Sequence, residues 1–156
     1  MKQPVFFAEY TASLKDPYAE EIIDLAVFRP LGYLFVMLFL PFPVTPNQVS
    51  LMAMACGIAA GFFLSSGTPH NFMIGGMLYG ISNILDCCDG MLARIKKNGT
   101  VTGRIVDGVV DYVTGGAVFI GLGIGLTNAV QREALHLPFN AWLLVIVAAL
   151  STALHA

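Results

Sequence analysis

Four aspartates stand out in a chain that carries little other charge. Asp86 and Asp89 are three residues apart, and Asp107 and Asp111 are four apart. On helices, both spacings put the pair on one face. Two consecutive antiparallel helices joined by a short loop can turn those faces toward each other, so that four carboxylates converge. Hard oxygen donors of this kind suit Mg²⁺, Mn²⁺ or Ca²⁺ rather than soft transition metals. Four carboxylates could hold two divalent ions about 3.5–4 Å apart, an arrangement suited to phosphoryl chemistry.

The neighbouring residues fit such a site. Gly90 and Gly103 remove side chains beside the carboxylates and leave the backbone open to a ligand. Arg94 can pair with a phosphate through two parallel hydrogen bonds. Asn98 and Thr100 offer neutral groups suited to a base or sugar.

The setting makes the cluster costly. The chain has 156 residues, of which 56% are hydrophobic and only 12% charged, and four of its ten acids fall between residues 86 and 111. A carboxylate at the centre of a membrane helix costs roughly 2.5–3.5 kcal/mol on insertion scales, so four unpaired ones would cost on the order of 10 kcal/mol. Something cationic is expected between them. Three residue-level readings stand side by side: a divalent-metal site, an acid-lined cation pathway of a transporter, and a structural ion-pair cluster with Arg94, Arg104, Lys96 and Lys97.

Composition of this kind excludes an ordinary soluble domain, which carries about 25% charged residues, and points to an integral membrane protein with an all-α fold, a polytopic transmembrane helix bundle. Eight basic residues form no stripe for nucleic acid. Cys56, Cys87 and Cys88 lack metal-site spacing and are expected to be small buried hydrophobes without a disulfide. Residues 1–24 hold no secretory-signal pattern.

The elements that must position the aspartates are legible as apolar runs. Residues 1–18 form a polar leader, and residues 19–44 an interfacial helix whose apolar part, Leu31 to Leu40, is too short to cross a bilayer. A Pro41–Asn47 turn ends it. Four spans are expected: Ser50–Leu64 (extended by Val49), Phe72 to about Ala93, Arg104–Leu126, and about Phe139 to Ala156. Arg94, Lys96, Lys97 and Arg104 cluster around one loop, which should face the cytoplasm. The loop around Arg132-Glu133 should face the other side. Gly57-xxx-Gly61, Gly76-xxx-Gly80 and Gly121-xxx-Gly125 are patterns that let helices approach closely. Gly121-Leu-Gly123-Ile-Gly125 lacks the spacing and the preceding strand of a dinucleotide site, and reads as packing.

The whole run of residues 86–111 resembles the signature of the CDP-alcohol phosphotransferase family, D-x2-D-G-x2-A-R-x8-G-x3-D-x3-D. Asp86, Asp89, Gly90, Ala93, Arg94, Gly103, Asp107 and Asp111 meet every specified position. Thr45-Pro46-Asn47-Gln48-Val49-Ser50 is similar to the family's segment before the first span. The resemblance covers roughly residues 30–156, with residues 45–156 as the phosphotransferase domain.

That resemblance implies a membrane enzyme that cleaves the pyrophosphate of a CDP-linked lipid donor, transfers a substituted phosphate to a small polar alcohol and releases CMP. It implies that Asp86, Asp89 and Asp107 bind two Mg²⁺ or Mn²⁺ ions, and that Asp111 is the general base and also touches a metal. Gly90, Ala93, Arg94, Thr100 and Gly103 would line the nucleotide site, with Asn47 a further candidate. Met91-Leu92 resembles the form common among enzymes that use CDP-diacylglycerol, which favours phosphatidyl transfer in phospholipid biosynthesis. The alternative is an amino-alcohol phosphotransferase that uses CDP-choline or CDP-ethanolamine. Family resemblance and the glycine patterns also imply a homodimer in the lipid bilayer (the inner, cytoplasmic membrane if the source is bacterial), and the basic loop puts its active site on the cytoplasmic face. Family members have six spans, so the domain is expected to be incomplete at its C-terminus. A non-catalytic membrane scaffold is the competing reading, and retention of all eight motif residues argues against it.

Overall fold

The computed structural model describes residues 27–131 and 140–155, and every regular element in them is helical. Five helices follow in order: α1 (Arg29–Phe39), α2 (Pro46–Leu64), α3 (Pro69–Ile95), α4 (Val101–Gln131) and α5 (Ala141–His155). The expected leader, the first part of the interfacial helix, and the Arg132-Glu133 loop lie outside the described residues.

Four of these helices begin on a polar side chain that satisfies their first free amides. At α2 the Thr45 amide donates to Gln48 Oε1 (2.9 Å) and the Gln48 amide donates to Thr45 Oγ1 (3.4 Å). With Pro46 at the first helical position, this is a capping box. The Asn71 amide donates to Thr68 Oγ1 (3.3 Å) at α3, the Gly103 amide to Thr100 Oγ1 (3.0 Å) at α4, and the Trp142 amide to Asn140 Oδ1 (3.0 Å) at α5. The caps move three boundaries. Helices α2, α3 and α4 start three or four residues before the apolar runs that announce them, because a first turn held by Thr-Pro or Thr reads as loop.

The described residues form two compact units. One comprises 27–53 and Ser82–Val110, the other Met54–Ile81 with 111–131 and 140–155. In the first, α1 buries Arg29, Gly32, Tyr33 and Val36, a helical face at i, i+3, i+4 and i+7, and leaves Leu31, Leu34 and Leu38 exposed. Pro30 lies in the first turn of α1, a position that tolerates proline. A Cβ on Gly32 would stand 2.8 Å from Met91 Cε and 3.3 Å from the Ile84 carbonyl, so α1 rides directly on the aspartate-bearing part of α3. Met91, Leu92, Cys88, Val36 and Val49 are the largest fully buried side chains of this unit.

The second unit packs Ala60, Leu64 and Val118 with Phe72, Leu78 and Leu122. Close approach depends on glycine. A Cβ on Gly61 would overlap Ala117, and Cβ atoms on Gly121 and Gly125 would overlap the carbonyls of Gly61 and Leu64. Gly76 and Gly80 differ from expectation: nothing in the described chain lies within 4 Å of a Cβ at either, and Gly75 makes the contact instead, against Leu64 and Ala60.

Helices α2 and α4 are long and apolar enough to cross a membrane, with mean hydropathy of 1.5 and 1.7 over their best windows. Of the other two expected spans, α3 has the length but is diluted by Asp86, Asp89 and Arg94, and α5 is described over 15 residues. Phe62 (76% exposed) and Met73, Met77, Ile120 and Ile124 point outward from the second unit. That surface suits lipid rather than water. Cys56, Cys87 and Cys88 are free thiols, Cys88 buried and the other two partly so.

Candidate active site

The first unit carries three of the four carboxylates. Asp86 and Asp89 lie near the C-terminal end of α3 and Asp107 lies in the second turn of α4. The short connection between these helices is a helix-ending motif. Asn98 N–H donates to the Ala93 carbonyl and Lys97 N–H to the Arg94 carbonyl (both 3.2 Å), and Lys97 takes the left-handed conformation at φ 51°. This turn is tied back by Lys96, whose ammonium donates to the carbonyls of Val44 (2.7 Å) and Phe42 (3.3 Å) just ahead of α2.

One oxygen from each of Asp86, Asp89 and Asp107 lies within 4.8 Å of the other two. Two oxygens bound to one Mg²⁺, Mn²⁺ or Ca²⁺ at about 2.0–2.6 Å stand at most about 4–5 Å apart, so this set fits a divalent ion. Asp89 is the most enclosed of the three, at 4% exposure, and accepts a hydrogen bond from the Ser50 hydroxyl of α2. Asp111 follows Asp107 by one helical turn on α4, at the point where the second unit begins.

Beside Asp89 and Asp107 opens a cavity of about 270 Å³. Of the residues expected around a nucleotide, Asn47, Gly90, Ala93, Thr100 and Gly103 line it. Its size suits a polar fragment of a ligand rather than a whole lipid-linked nucleotide, since sites that hold drug-sized molecules run to roughly 300–1,000 Å³. At Gly90 a Cβ would meet only Arg94 Nη2, at 3.6 Å, so the missing side chain is open space. At Gly103 it would stand 3.2 Å from Thr100 Oγ1 and 3.4 Å from Asn47 Oδ1, which brings these two side chains together.

Arg94 is not among the lining residues, whereas Arg104, Thr45, Pro46, Ser50, Asn98 and Gly99 are. Thr100 has a second task, because its hydroxyl caps α4. Met91 and Leu92, whose types favour a CDP-diacylglycerol donor, are fully buried core residues that do not line the cavity. Ser50 and Arg104 are the additions. Ser50 closes the Thr45–Ser50 segment, and that segment's resemblance to the family's is the sequence signal that points to it.

The CDP-alcohol phosphatidyltransferase family matches residues 43–155. The chain belongs to that family. Its members use CDP-alcohol donors, alcohol acceptors and divalent metal. A phosphatidylinositol phosphate synthase of Mycobacteroides abscessus is 37% identical over 78 residues, covering 50% of this chain and 34% of that protein. One of Corynebacterium glutamicum is 32% identical over 93 residues, 60% of this chain and 40% of that protein. A bifunctional IPC transferase and DIPP synthase of Rubrobacter xylanophilus is 31% identical over 92 residues, 59% of this chain and 20% of that protein. The matches thus span well under half of these relatives' lengths.

Proposed function

We propose that this chain carries the donor-cleaving part of a membrane enzyme of phospholipid synthesis, transferring a phosphatidyl group from CDP-diacylglycerol to a small polar alcohol with release of CMP. The observation that carries the reading is the convergence of Asp86, Asp89 and Asp107 beside a cavity lined by Gly90, Ala93 and Gly103. The phosphatidylinositol phosphate synthases among its relatives favour a phosphorylated polyol such as an inositol phosphate as acceptor.

In this reading Asp86, Asp89 and Asp107 would hold two Mg²⁺ or Mn²⁺ ions, with Asp111 also reaching a metal. Bound metal would neutralise the pyrophosphate and stabilise the departing CMP. The acceptor hydroxyl oxygen forms a bond to the phosphorus beyond CMP as the pyrophosphate P–O bond breaks. Asp111 takes the hydroxyl proton, a role supported by the resemblance and by its position one turn from Asp107. Arg94 and Arg104 offer cationic partners for phosphate oxygens, and Asn47 and Thr100 polar partners for the nucleoside.

The basic residues between positions 94 and 104 support a cytoplasmic site. The apolar, outward-facing side chains support residence in the bilayer, and assembly as a homodimer follows the family resemblance. The test is incubation of the membrane-embedded protein with labelled CDP-diacylglycerol, Mg²⁺ or Mn²⁺, and a panel of alcohols. CMP release that depends on metal and on one acceptor is expected. No release with any acceptor from correctly inserted protein would refute the reading.

A further inference from the structure

Ser50 is a neutral residue in an apolar helix, yet it is as enclosed as the carboxylate it touches, both at 4% exposure. Its Oγ has two acceptors in reach: Asp89 Oδ2, and the Pro46 carbonyl one turn back at 3.2 Å. A hydroxyl has one proton to give. Hydrogen bonds to a charged acceptor are roughly twice as strong as neutral ones, so the proton goes to Asp89.

We propose that Ser50 is a positioning residue for the metal site: its hydroxyl holds the Asp89 carboxylate in one rotation and satisfies one of its oxygens without cancelling its charge. The proposal rests on the divalent-metal reading above. The chemistry explains why a serine suits this place. Three carboxylates with oxygens within 4.8 Å repel one another, and a buried acceptor without a donor is expensive. A lysine or arginine at position 50 would relieve the repulsion but compete with the metal for the same charge. A neutral donor fixes the geometry and leaves the full negative charge for the ion. Partners of this kind, bonded to a ligating carboxylate, affect metal affinity by about 10- to 100-fold.

The same two helices are joined by a second serine in the same unit. Ser82 Oγ of α3 donates to the Ala53 carbonyl of α2 at 2.7 Å and does not involve an aspartate. Ser82 therefore separates a metal effect from loss of an interhelical tie.

The experiment is Mn²⁺ titration of the detergent-solubilised chain, with free Mn²⁺ read by electron paramagnetic resonance, for the wild type, S50A, S50T and S82A. Expected are Mn²⁺ affinity at least about 10-fold weaker in S50A, recovery in S50T to within severalfold of wild type, and unchanged affinity in S82A. The proposal is overturned if S50A binds as tightly as wild type, if S50T is as weak as S50A, or if S82A loses as much as S50A. Absence of Mn²⁺ binding by the wild type would overturn the metal reading itself, and the proposal with it.

Discussion

Gly90→Ala should move stability and ligand binding in opposite directions. The added methyl would meet no protein atom closer than Arg94 Nη2 at 3.6 Å, an ordinary van der Waals distance. Gly90 lies inside α3, where alanine is favoured over glycine by roughly 0.5–1 kcal/mol. The fold should therefore gain up to about 1 kcal/mol. Gly90 also lines the cavity beside Asp89, and the methyl would stand in space a ligand would otherwise fill. Overfilling a packed contact costs about 1–3 kcal/mol, or roughly 5- to 150-fold in affinity. Thermal unfolding in detergent reads the first effect, and calorimetric titration with CMP and CDP reads the second. A variant that unfolds more easily than wild type by over about 1 kcal/mol, or that binds CMP undiminished, would refute the assignment of this glycine to the ligand's space.

Lys97→Gly should stabilise the protein by roughly 1 kcal/mol, because Lys97 holds φ 51° at the end of α3 and glycine adopts that region without a Cβ penalty; chemical denaturation in mixed micelles would measure it. Gly121→Ala should destabilise by about 1–3 kcal/mol, since its Cβ would overlap the Gly61 carbonyl; a melting temperature no lower than wild type would count against that helix contact. Asp111→Asn should abolish CMP release while leaving Mn²⁺-dependent CDP binding within severalfold of wild type. Lost CDP binding would instead identify Asp111 as a metal ligand foremost.

Much of the site was legible because helical periodicity does the placing. Spacings of three and four put Asp86 with Asp89 on one face, and the short connection at 96–100 brings Asp107 to them. The partners were harder to read. A serine in an apolar helix has no periodic signature, and Ser50 meets Asp89 across 39 residues of sequence. The GxxxG spacing of Gly76 and Gly80 specifies a face but not what meets it, and the face that meets α2 is the one carrying Gly75. Arg94 has the type and place of a phosphate ligand, and its guanidinium lies by the open space at Gly90, while Arg104 stands on the cavity wall. Met91 and Leu92 are fully buried, Met91 beside Gly32 of α1, so their surroundings are core rather than cavity wall.

The unit that holds the carboxylates is discontinuous in sequence, with residues 54–81 intervening between its halves. A chain made from its N-terminus therefore produces Ser50, Asn47 and the capping box long before anything exists for them to hold. Asp86 and Asp89 follow, and only when the first turns of α4 emerge does Asp107 complete the set. Closing such a loop costs entropy that grows slowly with its length, and the Lys96 clamp on the carbonyls of Phe42 and Val44 is an early fastener available before α4 is made. Both ties of the acidic helix, Ser50 to Asp89 and its own Lys96 to the Phe42 and Val44 carbonyls, thus join residues made before α4, whereas the three-carboxylate set is complete only once Asp107 exists.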